Sequence, residues 1–522
     1  MDKSDRKPGQ NDDSRRHFLK GIAATPLAAF IAGAGAAALD AKPAPAAASA
    51  PLPQNRRMQA TPNGRKLVAI QIGARSFVDE GVEKCLDTLQ EKGGVNTLMS
   101  TVFTYGRGLA GRGVPLADHG VQQPDQVHGG SYTKIHPEFY ADSVVKDLRA
   151  PDLGDFDILA DVTPAAKKRG MQTYALFEEA YNPRLIPNFE KIAEVDINGR
   201  IGGSTCLNNP NARTMLVSLV EDWFKSNELD GMMWESERQG PLNNLIGAHF
   251  GRFNGRSSAY CFCTFCTRKA AEQGINVARA REGYVALEAW VKQTFGQPRS
   301  NDGSAVTFWR LLLEYPEILV WERFWFKSQE EVYGLLYGTV KEANPRARVG
   351  WHIMHLIAMS PFYRAEQDYA RLARFADYLK PCTYNNCAGP RFAQYIRNVQ
   401  STVFHDLSPD EVLEYHYKIL DLTGEATLDK LPTTGLSANS VAVETKRALA
   451  DVGNSTPIYP GIDIDIPTAP GTKHTQPSDV KAAVIAAFNA GAPGVVLSRK
   501  YAEMKLANLA GSGDALRELK II

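Results

Sequence analysis

Short apolar segments alternate with amphipathic helical segments from residue 66 onward. Eight segments have the length of strands, and several are continuous apolar runs, as expected for strands buried on both faces. They cover residues 66–73, 95–103, 171–180, 229–238, 347–355, 376–386, 455–465 and 493–501. Helical periodicity lies between them, for example in DEGVEKCLDTLQEKG at 79–93. This alternation predicts parallel βαβ units, and eight repeats predict an α/β fold of the (β/α)8 TIM-barrel type.

An open doubly wound sheet is the alternative fold. No glycine-rich phosphate loop follows the first strand, which disfavours a dinucleotide-binding version of that sheet. The barrel is predicted over residues 66–522, with long insertions after strand 2 (about 104–150) and after strand 4 (239–345). The first insertion is rich in Gly, Tyr and His, and its place at the catalytic rim predicts that it covers the substrate. A surface excursion without function is the alternative.

The N-terminal region has the three parts of an export signal. Arg15 and Arg16 precede HFLK, residues 21–39 are moderately apolar, and a Pro/Ala-rich stretch follows. The paired arginines resemble the twin-arginine signal of the Tat pathway. We therefore expect a signal peptide at 1–41, a linker at 42–65, the Tat translocase as an export partner, and a periplasmic or secreted mature protein. A membrane anchor is the alternative, but the many Ala and Gly residues disfavour it.

Composition narrows the class of partner. The chain is 44% hydrophobic and 22% charged, with a formal net charge of +1. This balance argues against nucleic acid or an anionic membrane as the main partner. Seven cysteines are an odd number and too few to staple a chain of this size with disulfides.

Polar and aromatic side chains collect at the predicted C-terminal ends of the strands, where TIM barrels place their active sites. The catalytic candidates are the carboxylates Glu235, Glu237, Glu178, Asp463 and Asp465. The substrate-binding candidates are Trp234, Arg238, Trp351, His352, Tyr384, Asn385 and Arg499. Carboxylates serve as acid, base or nucleophile at a glycosidic bond. Aromatic faces, amides and guanidinium groups bind sugars. A carbohydrate or glycoside is therefore the predicted substrate.

Each candidate also has a structural reading. Glu178 is adjacent to Glu179, and one of the two faces away from the mouth as a surface charge or ion-pair partner. Glu235 and Glu237 lie two apart and share a side of the strand, which is hard to explain as packing, although a pair with Arg238 would be structural. Asp463 and Asp465 could cap a turn. His352 and His355 are read as hydrogen-bonding or packed residues, and tryptophans in these segments are most often core.

One stretch resembles a known family. CLNNPNARTMLVSLVEDWFKSNELDGMMWESERQGP resembles the third helix and fourth strand of barrel glycoside hydrolases, in which a carboxylate ends the Asp-Gly strand. Four cysteines are similar in order to those of the zinc-containing β-galactosidases of glycoside hydrolase family forty-two: Cys206 precedes the strand-4 glutamates, and Cys261, Cys263 and Cys266 follow them. Trp234 stands where that family has Asn, and Asp463 or Asp465 where it has the strand-7 Glu.

The resemblance implies a structural Zn²⁺ bound by Cys206, Cys261, Cys263 and Cys266. Four thiolates would form a closed tetrahedral site. A disulfide within the cluster and buried free thiols are the alternatives, and folding before export favours the metal.

An exported glycoside hydrolase is the predicted function, with Glu235 as the first catalytic carboxylate and Glu237 as the second. A non-catalytic glycan-binding barrel is the second hypothesis. A metal-dependent hydrolase using His352 or His355 comes last, because the strands lack the several converging His and Asp ligands of such barrels.

Overall fold

The computed structural model describes residues 64–104, 119, 129–179, 183, 186–453 and 455–522. The predicted signal peptide lies outside these residues, as does all but the end of the predicted linker. Among the helices of the described residues, none is both long and apolar enough to cross a membrane.

Eight parallel strands form a barrel, so the fold class predicted from the sequence is confirmed. They are β1 (Leu67–Gly73), β2 (Thr97–Thr104), β3 (Gln172–Glu178), β4 (Gly231–Glu235), β5 (Arg348–Ile353), β6 (Tyr378–Pro381), β7 (Gly461–Asp463) and β8 (Gly494–Ser498). Hydrogen bonding connects them in the order β7-β8-β1-β2-β3-β4-β5-β6. Bridges from Leu379 to Ile458 and from Cys382 to Gly461 bring β6 against the chain leading into β7. These bridges nearly close the barrel.

Helices follow the strands and surround the barrel. Their bounds are α1 Ala74–Glu80, α2 Val82–Gly93, α3 Thr163–Lys168, α4 Pro210–Ser226, α5 Pro241–Leu245, α6 Thr264–Glu272, α7 Val277–Thr294, α8 Ser304–Glu314, α9 Glu317–Ala343, α10 Pro361–Glu366, α11 Tyr369–Leu372, α12 Asn385–Gln400, α13 Pro409–Ile419, α14 Leu431–Thr434, α15 Ala438–Val452, α16 Pro477–Asn489 and α17 Leu506–Glu518. The segment after β4, predicted as an insertion, contains α5 to α9.

Two smaller β elements accompany the barrel. Gly130–Ser131 pairs antiparallel with the end of β2, and a hairpin of Ala193–Val195 with Ile201–Thr205 follows β3. Of the predicted covering loop, residues 105–118 and 120–128 lie outside the described residues. The part from 129 onward packs beside β2, which places this side of the loop at the rim.

Local sequence explains two departures from the predicted elements. The helix predicted at 79–93 is divided at Gly81, whose φ of 87° lies in the left-handed region that favours glycine. The strand predicted at 376–386 ends at Pro381, and Asn385 already begins α12. The polar residues between them turn the chain at the rim instead of extending the strand.

The barrel interior is filled rather than hollow. Its inner cluster is Leu67, Ala69, Met99, Tyr174, Leu176, Met233, Tyr378, Tyr459 and Val496. The Arg348 guanidinium lies over the rings of Tyr378 and Tyr459, 5.6 and 5.5 Å from their centroids. Because this packing closes the lower barrel, any substrate site must lie above it, at the C-terminal ends of the strands.

Candidate active site and cysteine centre

Strand register brings four ionisable side chains into one row at the mouth of the barrel. Glu178 pairs in register with Glu235, Glu235 with His352, and His352 with Lys380. Met233 belongs to the inner cluster, and side chains two apart share a face, so Glu235 also points inward. The row therefore lies directly above the packed barrel interior.

Glu235 is buried and held by neutral groups. The Gln71 side-chain amide donates a hydrogen bond of 2.9 Å to its Oε2, and His352 Nδ1 lies 3.2 Å from the same oxygen. Burial and the nearby charges of Glu178 and Glu237 raise the pKa of Glu235 to about 8, although two lysines oppose the shift. Glu235 therefore keeps its proton at neutral pH.

Glu237 has the opposite electrostatic environment. Its side chain is 44% exposed, and its Oε1 lies 3.3 Å from His352 Nε2. Partial loss of solvation opposes ionisation, but the hydrogen bond with His352 and the charges of His352, Arg391 and Arg499 outweigh it and lower the pKa of Glu237. One histidine thus contacts a protonated carboxyl group through one ring nitrogen and a carboxylate through the other.

Glu178 is a buried partner of a lysine. Its carboxylate accepts a hydrogen bond from the Thr104 hydroxyl, and Lys500 Nζ lies 2.9 Å from its Oε2. Lys500 also donates to Thr104 at 3.1 Å. Glu178 therefore acts on Glu235 as a nearby charge.

Three predicted substrate-binding residues lie elsewhere, and their positions correct the prediction. Trp234 and Trp351 point outward from β4 and β5 and pack against Tyr333 of α9, with ring centroids 5.1 and 4.7 Å away. The indole rings of both tryptophans are buried and pack against core residues. Arg238 pairs with Glu179 and Glu194, so its guanidinium joins the rim to the hairpin that follows β3.

Asp463 also has a structural position. Its oxygens accept backbone N–H bonds from Cys387 at 2.8 Å and from Ile466 at 2.9 Å. Cys387 lies in the first turn of α12, where a backbone N–H has no acceptor within the helix, and Asp463 provides that acceptor. Asp463 therefore caps α12 through Cys387, and its bond from Ile466 closes the turn that follows β7, which is the alternative role expected from the sequence. Asp465 is buried two residues beyond β7.

The remaining candidates surround the mouth. Tyr384 accepts a hydrogen bond from Lys380, and burial raises the pKa of its phenol well above the usual value. Arg499 forms a two-point pair with Glu503, with distances of 2.8 and 3.1 Å. Asn385 donates to the Leu436 carbonyl at 3.3 Å, which turns it toward the segment before α15.

Sequence reasoning missed the side chains that position Glu235. Ser498 Oγ donates to Gln71 Oε1 at 2.7 Å, which turns the amide so that its NH₂ group faces Glu235. Lys380 is fully buried at the end of β6. The position of Lys380 inside the short strand YLKP was the sequence signal for its role. A lysine buried in a strand needs hydrogen-bond acceptors or a charged partner nearby.

The four predicted cysteines meet at one point, and all are buried. Cys206 Sγ lies 3.4 Å from Cys263 Sγ and 3.5 Å from Cys266 Sγ. Three N–H groups point at sulfurs of the cluster: Val195 N to Cys261, Cys266 N to Cys263, and the Asn208 amide to Cys266. Hydrogen bonds from the other thiols lower the pKa of Cys263.

This geometry fits a tetrahedral metal. Four sulfurs about 2.3 Å from one ion lie about 3.8 Å apart, whereas a disulfide holds its sulfurs at about 2.05 Å. N–H groups directed at sulfur also stabilise thiolates. The four cysteines can therefore hold one metal ion.

A second group, Glu235, Glu237 and His352, also has ligand atoms within 4.8 Å of one another. Lys380 Nζ lies 3.1 Å from His352 Nδ1, so a cation there would face a like charge. We assign no metal to the mouth.

Comparisons with known proteins identify no family for this chain. No protein-family model matches the chain, and no curated protein matches it. Among solved structures it is similar to α-L-fucosidase isoenzyme 2 from Paenibacillus thiaminolyticus (12% identity, 87% of this chain and 49% of that one, TM-score 0.46). It is also similar to a β-galactosidase from the Antarctic haloarchaeon Halorubrum lacusprofundi (14%, 87% and 58%, TM-score 0.49).

The PgaB (BpsB) glycoside hydrolase domain from Bordetella bronchiseptica is similar over 87% of this chain and 98% of that one, at 11% identity and a TM-score of 0.47. The chain spans about half the length of the fucosidase. At these values the likeness carries no functional argument, so function is argued from the side chains.

Proposed function

We propose that this protein is a glycoside hydrolase, with Glu235 as general acid and Glu237 as the ionised partner. The observation that carries the proposal is that two neighbouring carboxyl groups contact one histidine in opposite surroundings. Glu235 is buried beside Gln71 and its pKa is raised to about 8, whereas Glu237 is partly exposed near two arginines and its pKa is lowered. Two neighbouring carboxyl groups held in different protonation states are what glycosidic cleavage requires, since one must donate a proton and the other must act as an anion.

The spacing of the two groups favours retention of configuration. One oxygen of each lies within 4.8 Å of the other. Inverting enzymes need about 6.5–9.5 Å between the carboxyl groups to admit a water molecule, and retaining enzymes use about 5–5.5 Å. Glu237 would therefore attack the anomeric carbon, and Glu235 would protonate the leaving oxygen and later activate water.

The residues around Glu235 and Glu237 support these different roles. Gln71 fixes one oxygen of Glu235, while the paired Glu178 lies in the same row and helps to keep its proton in place. Arg391 and Arg499 provide positive charge beside Glu237, where hydroxyl groups of a sugar would also find donors.

The test compares variants on a panel of aryl glycosides and oligosaccharides. Glu235→Gln should lower kcat/KM by about 10²–10⁴-fold on oligosaccharides, but far less on dinitrophenyl glycosides, whose leaving group needs no proton. Glu237→Ala should lose activity on both, and azide should restore it by replacing the missing nucleophile. The exposed Glu272→Gln is the matched control and should match the wild type.

Full activity of both site variants on a confirmed substrate would reject the assignment. Tight binding of an oligosaccharide without turnover by the wild type would favour the glycan-binding alternative instead.

We also propose that the four cysteines bind a structural Zn²⁺ and that the protein is exported by the Tat pathway. Four thiolates suit zinc and leave no open position for substrate. Export after folding would protect such thiols in an oxidising compartment. Replacing both Arg15 and Arg16 by lysine should keep the protein in the cytoplasm, as cell fractionation would report. Unchanged export would reject the Tat assignment.

A further inference from the structure

His352 lies at the centre of the charged row and contacts groups from every side. Glu235 lies on the neighbouring strand β4, and Glu237 lies just beyond the end of β4. On the other side, Lys380 lies on β6 and Cys382 follows the end of β6. Arg391 of α12 adds a second positive charge. Burial and the Lys380 charge lower the pKa of His352 to about 4. The ring is therefore neutral at pH 7, and one nitrogen carries the single proton.

Lys380 discriminates between the two positions of that proton. Its Nζ lies 3.1 Å from His352 Nδ1 and 3.5 Å from Cys382 Sγ, and it also donates to the Tyr384 hydroxyl. An ammonium group has three N–H donors and no acceptor. These three contacts satisfy all three donors only if Nδ1 offers a lone pair.

A proton on Nε2 then faces two acceptors, the Glu237 carboxylate and, at 3.1 Å, the Cys382 sulfur. Nε2–H donates to Glu237 Oε1 at 3.3 Å, which requires that oxygen to be an acceptor. Glu235 Oε2 lies 3.2 Å from the same Nδ1, so a protonated Glu235 shares this lone pair with the Lys380 N–H in a three-centre contact.

The other tautomer would give different chemistry. With the proton on Nδ1, His352 would donate to an ionised Glu235. Cys382, whose Sγ lies 3.1 Å from Nε2, would donate its thiol proton to the ring. That arrangement is a thiol–imidazole–carboxylate triad, and it would leave Lys380 pointing an N–H at an N–H.

We infer that Lys380 is a positioning residue that holds His352 in the tautomer protonated on Nε2, and so assigns the proton to Glu235 and the negative charge to Glu237. The inference deepens the proposed function and rests on it for the roles of the two glutamates. The tautomer itself can be measured without a substrate.

The experiment is ¹⁵N NMR of the full chain labelled at histidine, with His352→Gln used to assign the ring. Near pH 7, wild-type Nε2 should show the shift of a protonated nitrogen and Nδ1 that of an unprotonated one. Lys380→Met should move the protonated-nitrogen shift partly or fully to Nδ1, and Lys380→Arg should preserve the wild-type pattern.

Lys500→Met is the matched control, because it removes a buried lysine of the same rim that contacts Glu178 and not His352. The Lys500 charge lowers the pKa of Glu235, so this variant keeps Glu235 protonated. It should leave the tautomer unchanged.

A proton on Nδ1 in the wild type would overturn the inference, even if no Lys380 variant folds. An unchanged pattern in Lys380→Met, or an equal change in Lys500→Met, would also overturn it. The expected patterns without glycoside hydrolysis by the wild type would leave the tautomer assignment standing and reject the proposed function.

Discussion

The mouth of the barrel and the cysteine cluster are both polar and buried, but they are built differently. In the mouth, side chains contact other side chains, and neighbouring carboxyl groups are held in different protonation states. In the cluster, like groups surround one point and receive N–H bonds from their own hairpin and helix. The mouth has unequal groups suited to proton transfer, whereas the cluster has four like groups suited to one metal ion. This difference distinguishes the proposed active site from the proposed zinc site.

The largest effect is expected when one cysteine of the cluster is replaced. Cys206→Ser should eliminate bound zinc and lower the free energy of unfolding by about 5 kcal/mol, a fraction of the roughly 10–16 kcal/mol that structural zinc supplies to isolated zinc fingers. Elemental analysis and denaturant unfolding measure the two effects. Cys85→Ser, at a buried thiol outside the cluster, should retain the metal. Full zinc content in Cys206→Ser would show that the cluster is not the site.

Arg238 connects the two regions, because it joins Glu179 at the rim to Glu194 in the hairpin beside the cysteines. Arg238→Met should lower the free energy of unfolding by about 3–5 kcal/mol, since two buried carboxylates lose their partner. Arg200→Met is the control: its pair with Asp196 lies in the same hairpin region, but its own side chain is 69% exposed. It should change stability by less than about 1 kcal/mol. Equal effects of both would mean that the regions are not coupled through Arg238.

Glu235 should make the protein less stable as pH rises. Its folded pKa of about 8 exceeds the ordinary value of 4.5, so the folded state binds the extra proton between these values. Raising the pH across that window therefore favours unfolding. Glu235→Gln removes this dependence and should gain about 3–4 kcal/mol relative to wild type between pH 5 and 8, since each pH unit inside the window is worth about 1.4 kcal/mol. Urea unfolding across this range measures the gain, and a gain that does not grow with pH would show that Glu235 is ionised in the folded state.

The smallest effect is expected when the hydrogen bond that orients Gln71 toward Glu235 is removed. Ser498→Ala removes the hydroxyl that orients Gln71, and kcat on a confirmed glycoside should fall about 3–10-fold, in line with one hydrogen bond of about 1 kcal/mol. Ser512→Ala is the control, because its buried hydroxyl donates to the Gly93 carbonyl away from the mouth. A loss of kcat in Ser512→Ala as large as in Ser498→Ala would mean that the effect is on stability alone.

The fold was predictable because its signals are local. Apolar runs alternating with helical periodicity marked all eight strands, and the barrel follows from their number. The cysteine cluster followed from the resemblance of the cysteine order, and the structure brings the same four residues together. Errors arose at the ends of elements. Trp234 immediately precedes Glu235, and only the pleat decides that the tryptophan packs against α9 while the carboxyl group enters the mouth.

The eight strands, the glutamates at the end of β4 and the four thiols could be identified from the amino-acid sequence, since each depends on a short segment or on a fixed order along the chain. Tertiary structure decided which carboxyl group keeps its proton, because that depends on burial and on distant residues: Gln71 from β1, Lys380 from β6 and Lys500 beyond β8 all act on Glu235. Electrostatic energy depends on distance in space, and proximity in space arises only when the barrel brings β4 beside β5 and closes around the mouth.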